Sequence, residues 1–295
     1  MRNKKKSVLS NFITVFIVIV MVAGIGLLLY PTISEKWNSL HQSRIIAGYT
    51  EQLASADSNQ TEEEWNSAVK YNEELPSKQN RYKMSETETE EYNKLLDSTG
   101  TGVMGFITIP KIEVKLPIYH STEEAVLQIG VGHIPGSSLP VGGKSSHCVL
   151  SGHRGLPSAK LFTRLDEMAE KDIFALHILG KVLIYEVDNI SVVLPDEVNN
   201  IDIQDGKDYC TLITCTPYGV NTHRMLVRGE HTETISEEEY ASRNYENSAV
   251  SEVASAETND SQGHEIPDYL PVAFAAFAVL VLGFALFAPV KKKKG

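Results

Sequence analysis

Thr211-Leu212-Ile213-Thr214-Cys215-Thr216-Pro217-Tyr218-Gly219, running on into Asn221-Thr222-His223-Arg224-Met225-Leu226-Val227-Arg228-Gly229, is the stretch on which the fold turns. An apolar, β-branched run ends in a cysteine, a turn-rich loop follows, and a second apolar run returns, beginning with an arginine. Such runs bounded by Pro, Gly and Asn read as strands. The same texture recurs upstream at 103–109, 114–119, 148–151 and 182–187. Leu179-Gly180-Lys181 reads as a hairpin turn joining 174–178 to the strand after it. Many short strands with few helices predict a mostly-β sandwich or barrel over about 102–230.

Outside this block the texture changes. Residues 31–101 read as N-terminal helices and connector: Ser34 is placed to cap a helix, and Thr61-Glu62-Glu63-Glu64 and Ser85-Glu86-Thr87-Glu88 both match a capping box. Leu75-Pro76-Ser77 reads as a break between helices. From 232 to 268 the chain is rich in Ser, Glu, Asn and Ala without periodicity and reads as a flexible tether.

The two ends are apolar. Residues 8–30 hold no charge and follow Arg2, Lys4, Lys5 and Lys6; at ~1.5 Å per residue such a run spans a hydrocarbon core of ~30 Å. A cleaved signal peptide is the alternative, but the run is long for one and no small-x-small site precedes Tyr30-Pro31. A second run, 269–290, ends in Lys291 to Lys294. Lysines on the outer flank of both runs predict two transmembrane helices, 1–30 and 269–295 with their basic tails, both termini cytoplasmic and everything between them outside. The remaining 19 basic residues face 38 acidic ones, a balance that disfavours nucleic acid as a partner.

Chemistry concentrates at two strand ends. One is Cys215; the other is His153, in Leu150-Ser151-Gly152-His153-Arg154-Gly155. A thiol is a nucleophile once part of it is thiolate, an imidazole can shuttle the proton, and a guanidinium such as Arg224 offers fixed donors to a developing oxyanion. Taken singly, a strand-end cysteine is usually a small core residue and a lone histidine a structural one. The longer strings decide against that reading. His133, His147 and His223 form no convincing ligand set with the cysteines, so no metal and no cofactor is expected.

Leu212-Ile213-Thr214-Cys215 resembles the TLxTC motif of sortases, the cysteine transpeptidases of Gram-positive cell surfaces. Thr214 to Gly219, running into Asn221 to Arg224 and Val227-Arg228-Gly229, is similar to the class C, pilus-assembling branch. Leu150 to Gly155 resembles its histidine motif and Gly105 to Ile112 its first strand. The resemblance implies an eight-stranded β-barrel over 102–231. It implies Cys215 as nucleophile and thioester carrier, His153 as proton donor and acceptor, and Arg224 as oxyanion stabiliser. The substrate would be a pilin with an LPxTG-like motif, cut between Thr and Gly and passed to a lysine of the next pilin. Ser151, Thr214, Thr216 and Tyr218 are candidates for substrate binding. Arg228, four positions past Arg224, is expected to be a structural or surface charge.

The branch carries an Asp-Pro-aromatic lid before the first strand. Asn80 to Ser85 lacks that triplet, which leaves either Tyr82 or Met84 as a candidate plug or a loose lid. In the family's barrel the strands of His153 and Cys215 are parallel neighbours. Cys148 and Cys210, each five residues earlier, would lie side by side on the opposite face, as two ordinary small core residues in the favoured reading, or as a thiol pair or a disulfide. Competing functions are a housekeeping sortase that uses a peptidoglycan amine, a hydrolase in which water resolves the thioester, and a non-enzymatic surface protein. The last is disfavoured because Leu270-Pro271-Val272-Ala273-Phe274 lacks the Thr-Gly of a sorting signal.

Overall fold

The computed structural model describes residues 2–197 and 201–243. The chain divides into two units, one holding its first residues through Lys36 and one that begins at Trp37 and holds the barrel. Helix α1 (Arg2–Ser55) contains a stretch of mean hydropathy 3.0, long and apolar enough to cross a membrane. The expected second span at 269–290 lies outside the described residues. Ser34 is no cap: it sits within α1, its hydroxyl donating to the Tyr30 carbonyl one turn back. The cap of α2 (Ser58–Glu74) is Asp57, whose carboxylate accepts from the Asn59 amide. Thr61 lies inside α2, because Asp57 satisfies the open amides first. The second capping box is as expected: before α3 (Glu86–Asn93), Ser85 and Glu88 each satisfy the other's backbone amide.

Eight strands close a barrel: β1 (Val103–Ile109), β2 (Val114–His120), β3 (Val131–His133), β4 (Ser146–Ser151), β5 (Ile173–Ile178), β6 (Lys181–Val193), β7 (Asp208–Thr216) and β8 (His223–Ser236), in the order β1-β2-β3-β4-β7-β8-β6-β5. Closure leaves no free sheet edge, and the alternating side chains divide cleanly. Cys148, Leu150, Cys210, Leu212, Met225 and Val227 point into the main core. Val149, Ile213 and Leu226 point outward into a separate apolar cluster with Ile134, Val193 and Ile201. The expected tether starts later than 232: β8 pairs with β6 as far as Ser236, because Ile235 is buried with Val182 and Ile184, and α5 (Glu237–Ser242) follows. Residues 244–268 of the tether lie outside the described residues.

Candidate active site

Strand register brings the three strand-end residues together. β4 and β7 run parallel, with Ser151 opposite Ile213, and the Gly152 amide donates to the Ile213 carbonyl. Two steps further along each chain come His153 and Cys215. β7 and β8 run antiparallel, with Cys215 directly opposite Arg224. Cys215 therefore stands between His153 and Arg224 at one end of the barrel. Cys215, partly exposed, and Arg224 share the alternation of Ile213 and Leu226, so both belong to the outer face, beside an apolar floor.

The turn carrying His153 is braced from below. Thr214 Oγ1 donates to the Gly152 carbonyl at 2.8 Å, and the Phe162 amide donates to the His153 carbonyl. A side chain at Gly152 would meet the Phe162 ring at 2.6 Å. Thr214 is thus a buried strut of this turn. The next residue, Arg154, ties the turn to the β7–β8 loop: its guanidinium contacts Asp166, donates to Thr216 Oγ1 and lies 5.9 Å from the Tyr218 ring centroid. Gly155, at φ +79°, leaves room for that ring, which a Cβ would meet at 2.8 Å. Tyr218 remains exposed; Ser151, at the end of β4, is half-buried.

Two contacts here escaped the sequence reading. Glu124, first residue of the short helix α4 (Glu124–Leu127), places Oε2 3.6 Å from His153 Nε2. Arg154 stood in the quoted histidine motif without a role. Neither follows a periodic pattern, and only the β2–β3–β4 pairing puts α4 beside the end of β4.

The plugs expected at Tyr82 and Met84 are elsewhere. Tyr82 hydrogen-bonds the Ile201 carbonyl at 3.4 Å, and Arg81 beside it pairs with Asp202 at 3.0 Å. Met84 packs on the main core. Asp202 also accepts, through its backbone carbonyl, from His147 Nδ1, which places this attachment on the barrel wall at the level of His147 and Thr211. From Thr211 to Cys215 the strand runs about 13 Å at ~3.3 Å per residue. Arg228 pairs bidentately with Asp188 and stacks over Tyr209 at 4.2 Å, a structural charge. Cys148 and Cys210 are opposite each other on β4 and β7, both buried and both free thiols. Burial, reinforced by Cys148, holds the Cys210 thiol well above its ordinary range.

The sortase domain model matches residues 107–232. Sortase A of Streptococcus agalactiae is 33% identical over 135 residues, 45% of this chain and 54% of that protein, so the chain spans about half the length of this curated relative. Solved structures match more fully. Sortase C1 of Streptococcus agalactiae is 47% identical with a TM-score of 0.63, over 64% of this chain and 98% of that one. Sortase C of Streptococcus pneumoniae, whose structure was described for catalysis and pilin substrate specificity, is 42% identical with a TM-score of 0.59, over 64% and 97%.

Proposed function

The chain belongs to the sortase family, and we propose that it is a membrane-anchored cysteine transpeptidase of the pilus-assembling class. The observation that carries this is the register that sets Cys215 between His153 and Arg224 on the outer face of the barrel. Cys215 Sγ attacks the Thr carbonyl of an LPxTG-like motif, and Arg224 holds the developing oxyanion. His153 gives its proton to the leaving glycine amine, and the pilin stays on Cys215 as a thioester. A lysine amine of the next pilin then loses a proton to His153 and attacks the thioester, forming an isopeptide bond and freeing the thiol. Half-buried Ile213, two residues before Cys215 on the outer face, is an apolar contact for the motif. Ser151, Thr216 and Tyr218 rim it.

The pilin assignment is supported by the likeness to class C sortases, the pneumococcal one among them. The apolar stretch of α1 serves as anchor, with the barrel on the outer side of the membrane and a second anchor in 269–290.

The test uses the full-length chain in detergent micelles, an LPxTG peptide and a lysine-bearing pilin domain, with Cys215→Ala as control and intact mass as readout. An acyl adduct on Cys215 that passes to the lysine is the expected result. An adduct that passes only to a peptidoglycan amine would make the protein a housekeeping sortase. One that goes only to water would make it a hydrolase.

A further inference from the structure

His153 Nε2 is shut off from solvent, and among the described residues no hydrogen bond reaches it. Its side chain as a whole is 26% exposed, so the open part of the ring lies elsewhere. Facing Nε2 at 3.6 Å is Glu124 Oε2, just beyond hydrogen-bond reach. In unliganded enzymes such contacts are commonly long and tighten once substrate is bound. The other oxygen of Glu124 is held by Gln128, one turn along, so the carboxylate is aimed and not loose. That hydrogen bond, and then the nearness of His153, keep the carboxyl below its ordinary range. The other charges around the ring have other tasks. Arg154 is engaged with Asp166 and Thr216, Cys215 lies across from it on β7, and Arg224 lies beyond on β8.

We propose that Glu124 is a positioning residue for His153: it accepts from Nε2–H, fixes that tautomer, and leaves Nδ1 as the nitrogen that exchanges protons with the thiol and the two amines. The inference rests on the reading of His153 as proton carrier. It adds no chemical step. The proton moves from Sγ to Nδ1 and on to the leaving amine, later from the lysine amine back to Nδ1, and Glu124 stays ionised throughout. A carboxylate that orients the base through its far nitrogen is the general logic by which an imidazole is kept in one tautomer.

The experiment compares the full-length chain in micelles with Glu124→Ala and Glu124→Asp, neither of which disturbs a buried group. Acylation by the LPxTG peptide and transfer to lysine are timed separately, and ring 15N NMR of labelled histidine reports which nitrogen of His153 is protonated. Expected in Glu124→Ala is a drop of roughly two- to fivefold in kcat for both half-reactions, the size of one half-exposed ion pair, with KM unchanged. Glu124→Asp recovers most of that loss. The His153 signal moves from the Nε2–H tautomer to a mixture in Glu124→Ala. Acylation at the parent rate with an unchanged ring spectrum would overturn the proposal. So would a loss confined to lysine transfer, which would make Glu124 a docking group for the acceptor amine. If the unsubstituted chain forms no adduct, the transpeptidase reading fails by itself, and the ring spectra still decide whether Glu124 sets the tautomer.

Discussion

Arg224 and Arg228 sit on the same strand and the same face, yet their surroundings assign them opposite tasks. Arg228 is locked: Asp188 takes two of its donors, Tyr209 lies under its plane, and the Asp188 hydrogen bonds raise its pKa further. Among the described residues Arg224 is held only by the carbonyls of Asn221 and His223, at 3.2 and 3.1 Å, so it can turn to an oxyanion at Cys215 without breaking an ion pair there. The consequence is a double dissociation. Arg224→Ala should lower acylation by about 10²–10³-fold, the usual loss for one oxyanion donor, with an unchanged melting temperature. Arg228→Ala should cost about 1 kcal/mol of stability, discounted for its partial exposure, while each folded molecule turns over normally. Single-turnover acylation beside thermal melting reads both; stability loss in the first variant and activity loss in the second would exchange the roles.

At the scale of elements, the wall beside the site depends on the connection between β6 and β7. Its far end is pinned by four contacts: Ile201 caps Val149 and Leu226, Arg81 pairs with Asp202, Tyr82 bonds the Ile201 carbonyl and His147 the Asp202 carbonyl. The segment in which a plug was sought therefore works as a strap on this connection. Arg81→Ala should raise amide exchange across 201–207 by up to about fivefold, since Asp202 is half exposed, and leave β4 and β7 protected. Unchanged exchange would mean that Ile201, Tyr82 and His147 hold the connection without Arg81. The strands and the strand-end trio were legible because alternation and turn residues are local signals, and because three motifs stood in order. The Ser85 box was legible for the same reason. Ser34 and Thr61 misled, since a hydroxyl inside a helix satisfies the same pattern as one at its start. Glu124 and the Arg81–Asp202 pair were not legible, because only the pairing and packing of the folded chain join segments so far apart in sequence.

For the whole molecule, folding buries polar groups whose protonation couples to it. His147 is fully buried, with Nδ1 donating to the Asp202 carbonyl and Nε2 accepting from Thr211 Oγ1. Those partners suit a neutral ring, and burial lowers its pKa. Burial lowers that of His120 as well. A histidine with a depressed folded pKa binds fewer protons folded than unfolded. Its stabilising contribution is therefore complete above the unfolded value of about 6.5 and is lost as pH falls through the folded one. Asp208 and Glu64 act in the opposite sense, because burial raises their carboxyls. Between pH 7 and 5.5 the melting temperature should fall, by about 2–4 °C for each kcal/mol lost in a domain of this size. His147→Gln, which keeps a donor and an acceptor but cannot charge, should flatten part of that slope even if its melting temperature at pH 7 is lower. Calorimetry at fixed ionic strength separates the two effects. A slope that His147→Gln leaves intact would move the acid sensitivity to His120, the last residue of β2, held by the carbonyls of Gly102 and Leu95, and away from the wall on which the β6–β7 connection is pinned.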